Sequence, residues 1–192
     1  DKATSNICTA QALLANMSAF YAIYHGASGL LQIFNRINGW AKRFTQALAS
    51  YQVTRVNKLF FDRVTLAMSE EEALAIYQKA QACGMNLWKD KNQLAVHFDE
   101  TTEEEDLKVL ITLFQQNLSA QTTLADKENL ELPLFLRRQE SVLSHPVFSC
   151  YRSETKLMRY IKKLEGKDLS LIHAMIPLGS CTMKLNSATE LQ

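Results

Sequence analysis

Six consecutive residues late in the chain, Gly179-Ser180-Cys181-Thr182-Met183-Lys184, hold its densest collection of reactive side chains. A glycine, two hydroxyls, a thiol and an ammonium at this spacing suit an anionic ligand. Backbone N–H groups beside a glycine cradle phosphate or carboxylate, and the lysine adds positive charge. The phosphate-loop spacing G-x-x-x-x-G-K-[ST] is absent, and an ordinary surface loop accounts for the same residues. Lys184 has the chemistry for a Schiff base with a carbonyl cofactor, which requires a desolvated pocket to lower its pKa. The sequence shows no such pocket. For Cys181 as a nucleophile the nearest histidines are His145 and His173, with no recognisable Asn or Asp arrangement, so a plain buried thiol explains it better.

Other candidates have structural explanations. Cys8 falls in the first turns of a helix signal, where the helix dipole lowers a thiol's pKa, but burial would silence it. Asp99, Glu100, Glu103, Glu104, Glu105 and Asp106 form an acidic run. It lacks the alternating ligands and central glycine of a calcium loop, and acidic groups are favourable at a helix N-terminus. His25-Gly26 and Trp40 serve either as the lining of a groove or as a helix stop and a core aromatic. The four cysteines, Cys8, Cys83, Cys150 and Cys181, form no C-x-x-C pair. That spacing argues against zinc, and four thiols in a chain this size fit a reducing compartment better than a disulfide framework. No metal site is expected.

The elements that must position these groups follow from periodicity. Ile7, Ala10, Leu14, Met17, Tyr21 and Tyr24 recur at spacings of three and four, widened by Leu13, Phe20 and Ile23. So broad an apolar face predicts a helix from about Thr4 to Tyr24 packed on more than one side, ended by His25-Gly26. Leu30, Phe34, Ile37, Ala41, Phe44 and Leu48 predict a second helix with Gly39 inside it. From Lys58 to Leu118 the pattern becomes β-α-β-β-α. It comprises a strand over Leu59–Leu66 and a helix capped by Ser69 and Glu72 that stops at Gly84. A short strand over Met85–Trp88 and a strand over Gln93–Phe98 follow, then a helix opened by a Thr102–Glu105 capping box. The expectation is a small, mainly antiparallel sheet with helices on one face. Ser119 to Pro133 reads as a polar linker. A further helix begins near Ser153, is expected to bury Leu157, Ile161 and Leu164, and stops at Gly166. Residues 176–186 read as loop.

Composition bounds the class. The chain has 192 residues, 47% of them hydrophobic, with 21 basic and 20 acidic side chains and a formal net charge of +1. A packed core is expected, and no basic stripe interleaved with aromatics points to nucleic acid. No apolar run approaches the roughly 20 residues that cross a bilayer, and the polar start lacks the apolar stretch of a secretory signal. A soluble intracellular protein is expected. The chain opens inside a helix signal and closes without a domain after the loop, which reads as an internal fragment.

Two separate stretches carry a resemblance. The first is Ala3-Thr4-Ser5-Asn6-Ile7-Cys8-Thr9-Ala10-Gln11-Ala12-Leu13-Leu14-Ala15 with Tyr21-Ala22-Ile23-Tyr24-His25-Gly26. The second is Ala174-Met175-Ile176-Pro177-Leu178-Gly179-Ser180-Cys181-Thr182-Met183-Lys184-Leu185-Asn186. Upstream of the second, residues 153–161 and 164–169 look like the same family's preceding helix and turn. In this order they resemble the pyridoxal-phosphate-dependent glycine decarboxylases of the glycine cleavage system. The resemblance spans the chain, more loosely over 29–139, and departs in detail near 35–40 and 122–127.

The resemblance implies an α/β fold, with the β-α-β-β-α region as the small domain of a type I pyridoxal-phosphate-dependent transferase-like architecture flanked by long helices. Residues 1–50 would be the helical end of the N-terminal half's large domain and its connecting helix. Residues 51–118 would be the small domain, 119–150 a linker, and 151–192 the helix and loop that open the C-terminal half. The implied reaction takes glycine to carbon dioxide and passes the aminomethyl group to a lipoyl carrier protein. The coenzyme lysine follows a histidine in that family, and no matching pair appears here. The fragment by itself is therefore expected to be inactive and to hold no coenzyme, with no catalytic residue of its own. Ser180, Cys181, Thr182 and Lys184 are expected to line the cleft of the complete enzyme. The remaining domains of the subunit and a second subunit in a homodimer are the implied partners. Bacterial cytoplasm and mitochondrial matrix are both compatible compartments. The competing reading is a non-catalytic ligand-binding or dimerisation module.

Overall fold

A computed structural model of the chain describes residues 12–120, 130–131 and 133–167. These fall into two compact units, one formed from the chain up to Gly26 and from Leu143 onward, the other from Ala27 to Val142.

In the second unit the helix α1 (Ala12–Ala47) contributes its later turns. There follow β1 (Thr54–Arg55), β2 (Arg63–Ala67), α2 (Glu70–Ala82), β3 (Trp88–Asp90), β4 (Gln93–His97) and α3 (Glu104–Asn117). The four strands form one sheet in the order β1-β2-β4-β3, antiparallel throughout. The architecture is thus the expected mixture of helices with a small antiparallel sheet, with β1 added at one edge.

Register explains which face is covered. Val64 pairs with Val96 and Leu66 with Leu94, so all four side chains share one face. Against them pack Ile37, Ala41 and Phe44 of α1, Ala73 and Ile76 of α2, and Leu107, Leu110 and Phe114 of α3. Phe44 and Phe114 are fully buried and meet edge to face at 5.0 Å, and Phe98 tilts onto Phe44 at 5.7 Å. On the opposite face Thr65 pairs with Ala95, and Ala95 with Trp88. The Arg63 guanidinium lies 5.0 Å over the Trp88 ring. This stack helps to shield Ala95, which is fully buried on the face opposite Val64 and Val96.

Local signals place the helix ends. Ser69 and Glu72 form the expected capping box on α2, a feature that contributes about 1 kcal/mol. At α3 the cap is displaced by one residue from expectation. Glu103 is the cap, and its N–H donates to the Asp106 carboxylate at 2.9 Å, because the Thr102 hydroxyl is already engaged with Asp99. The strand expected over Leu59–Leu66 begins only at Arg63. The carbonyls of Phe60 and Phe61 instead accept from the amide of buried Asn38 on α1, at 3.3 and 2.8 Å. The strand expected over Met85–Trp88 begins at Trp88, since Met85 N–H turns back to close α2 on the Ala80 carbonyl.

In the first unit, the start of α1, the short helix α4 (Val147–Cys150) and α5 (Glu154–Glu165) are the regular elements. α5 follows Ser153 and stops at Gly166 as expected, but it buries nothing. Leu157 and Leu164 are half-buried and Ile161 is 37% exposed. The α1 helix breaks at Gly26, whose φ of 60° and ψ of −177° are open to glycine alone. A Cβ there would also meet the Phe148 carbonyl oxygen at 2.5 Å. Gly39, in the same helix, has nothing within 4 Å of the corresponding position.

The two glycines should therefore respond with opposite signs. Gly26→Ala should cost about 1–3 kcal/mol in a urea melt followed by circular dichroism. Gly39→Ala should gain up to about 1 kcal/mol. Equal effects of one sign would contradict the assignment of the break to Gly26.

Candidate functional site

The sequence singled out Ser180, Cys181, Thr182 and Lys184, and these lie outside the described residues, as do Cys8 and His173. The other candidates can be placed. His25 is half-buried and packs against Tyr21 and Tyr24, with ring centroids 4.3 and 5.3 Å away, in the last turn before the Gly26 break. Trp40 is a half-buried aromatic against the core of the second unit, with the Arg43 guanidinium 5.0 Å over its ring. The helix-stop and core-aromatic readings hold for both. Cys83 and Cys150 are free and exposed.

The acidic run is structural. Asp99 accepts from the Thr101 hydroxyl and N–H at 2.7 and 2.9 Å, and from the Thr102 N–H and hydroxyl at 3.1 and 3.3 Å. Its own N–H donates to the Thr102 hydroxyl. The Thr101 hydroxyl bond is the chief cause of an Asp99 pKa below the ordinary carboxylate value; burial opposes it, and the other Thr101 and Thr102 bonds add to it. Glu104 takes a two-pronged ion pair from Arg43, one prong at 2.7 Å. That hydrogen bond holds the Glu104 carboxyl below its usual range. Arg43 and Glu104 are far apart in sequence, and nothing in either helix's periodicity announces the pair. Glu131 is likewise lowered, by its bond from Lys42 at 3.0 Å. Among the described residues no group of three or more His, Cys, Asp or Glu side chains is arranged to hold a metal.

A groove of about 500 Å³ lies in the second unit, where the end of α2 and the start of α3 approach β4. Met85, Leu87, Phe98 and Leu107 supply apolar lining, while His97 and Asp99 supply polar groups. It contains no lysine, cysteine or serine, and the bonds from the two threonines all fall on Oδ1 of Asp99. Its titratable lining side chains are His97, Asp99 and Asp106, and Asp106 accepts from the Glu103 N–H at 2.9 Å.

The comparisons supply what this geometry does not. The family profile described as "Glycine cleavage system P-protein" matches residues 1–114. The chain is 46% identical over 195 aligned residues to a "Glycine dehydrogenase (decarboxylating)" of Aliivibrio fischeri. It is 48% identical to the protein of the same description from Photobacterium profundum, and 47% to that from Vibrio cholerae serotype O1. In each case 100% of this chain aligns with 20% of the relative, so the chain spans about one fifth of the length of the relatives it matches.

The Asp99 turn yields a pH prediction. A carboxyl whose folded pKa lies below its unfolded value of about 3.9 stabilises the fold above that pH, and the contribution disappears as pH falls through the folded pKa. Thr101→Val with Thr102→Val should raise the Asp99 pKa part of the way to its ordinary value, since both backbone N–H donors remain. Carboxyl titration by NMR checks this, and an unmoved pKa would refute the hydroxyls' role.

Proposed function

This chain belongs to the glycine cleavage system P-protein family, and from that premise we propose that it works as one segment of a pyridoxal-phosphate-dependent glycine decarboxylase subunit. The observation that carries the proposal is the 46% identity to the Aliivibrio fischeri protein along 100% of this chain. The complete subunit would release carbon dioxide from glycine and pass the remaining aminomethyl group to a lipoyl carrier protein. It would do so as a homodimer of the type I transferase-like architecture. The small antiparallel sheet covered on one face by α1, α2 and α3 suits the small domain of such a fold. No described helix is long and apolar enough to cross a membrane. The bacterial source of the relatives favours a bacterial cytoplasm over a mitochondrial matrix.

The coenzyme, when bound, supplies the electron sink for loss of the carboxylate, and it needs a lysine in a desolvated pocket. The described residues do not fit it. Among them the buried polar or charged side chains are Asn38 and Thr65, and every lysine is half-buried or exposed. What the described residues do is hold a scaffold. Asn38, the Arg43–Glu104 pair and the Phe44 core fix α1 against the sheet and α3.

The proposal assigns Ser180, Cys181, Thr182 and Lys184 to the edge of the active-site cleft of the complete enzyme, where hydroxyls and an ammonium would meet an anionic group. It assigns them no covalent role and no metal. Alanine at Ser180, Thr182 and Lys184 together, in the complete enzyme, should lower kcat/KM for glycine about 100-fold or more. Release of labelled carbon dioxide from carboxyl-labelled glycine measures it, and unchanged turnover and affinity would remove these residues from the cleft.

A further inference from the structure

We propose that the stretch of α1 ahead of Gly26, marked by Leu13, Leu14, Met17 and Tyr24, is a docking seam for the part of a P-protein subunit that lies outside this chain. From Ala3 to Tyr24 the sequence has no Asp, Glu, Lys or Arg. A helix left to water normally carries charge on its outer face. This chain follows that rule elsewhere: α5 spaces Glu154, Lys156, Arg159, Lys162, Lys163 and Glu165 along 12 residues. The early turns of α1 do the reverse. Leu13 is 72% exposed, Leu14 61%, Met17 57% and Tyr24 38%. Leu14, Met17 and Tyr24 stand three and seven residues apart and so lie along one face. Ile23 is the one buried hydrophobic side chain among the described residues of its unit. The helix therefore has an apolar side with very little packed against it.

An apolar helix side left this bare is one that a further surface covers. The occupant follows from length. The relatives carry a counterpart of this whole chain within 20% of their sequence, so the other 80% is protein that this chain does not contain. The inference rests on family membership and on burial, and it stands whether or not the proposed reaction is catalysed.

The test grafts this chain in place of its counterpart in the Aliivibrio fischeri protein and introduces Met17→Cys, with Gln78→Cys on α2 in a parallel graft. Maleimide labelling is read peptide by peptide, in buffer and in urea. In the free 192-residue chain, Met17→Cys should label nearly as fast in buffer as in urea. In the graft it should be slowed about 100-fold or more, the protection of a closed core. Gln78→Cys reports ordinary reactivity at an exposed helix position, and circular dichroism of the free chain reports that it is folded. Labelling of Met17→Cys in the graft as fast as in urea overturns the proposal. So does protection in the free chain that grows with its concentration, which assigns the seam to a second copy. Protection of the free chain by phosphatidylglycerol vesicles also overturns it, in favour of a lipid surface. If the graft does not accumulate, the same cysteine at the aligned position of the Aliivibrio fischeri protein itself decides: protection supports the seam and labelling removes it.

Discussion

The second unit depends on one requirement, that the Phe44 ring be enclosed at once by Phe98 at the end of the sheet and by Phe114 of α3. Phe44 is fully buried, and it is where helix, sheet and second helix meet. Truncating such a ring typically costs about 3–5 kcal/mol, of the order of a small domain's whole stability. The polar ties are arranged around it. Asn38, two turns earlier on α1, holds the Phe60 and Phe61 carbonyls, and Arg43 holds Glu104 at the start of α3. Phe34 stacks on Phe61 at 4.8 Å. Exposed ion pairs contribute little individually. Their effect here is to fix where α1 crosses a core that already binds it.

The two units differ in kind. The second buries apolar side chains on three helices and on one face of a sheet. In the first, the described helices expose Leu13, Leu14, Met17, Met158 and Ile161 and enclose little besides Ile23 and Gly26. One sequence can hold both because hydrophobic stabilisation follows the area withdrawn from water, and only the second unit withdraws enough within the described residues. The reactive cluster at Gly179–Lys184 lies outside the described residues.

Much of the fold was legible because its signals are local. The helix break needs only His25-Gly26, and the start of α2 only Ser69 and Glu72. Alternation over 93–98 places β4 to within a residue, at Gln93–His97. The misplaced boundaries share a cause that no window of sequence contains. Residues 59–62 have strand composition, but the Phe60 and Phe61 carbonyls are claimed by Asn38, more than twenty residues away. Met85 is drawn back onto α2, and Thr102 is taken by Asp99 before it can cap α3. For α5 the period was right and the burial wrong, since amphipathicity names the face to be covered and not whether a partner is present. Of the candidate site, the sequence supplied residue types and a family, and the family match supports the functional proposal more strongly than any geometry around the described residues.

Native-state hydrogen exchange on the chain and on Phe44→Ala tests most directly whether that ring makes one cooperative body of the second unit. The amides of β4, α2 and α3 should lose protection together and by a common amount of about 3–5 kcal/mol. Loss confined to the turns of α1 around residue 44, with β4 and α3 as protected as before, would contradict it.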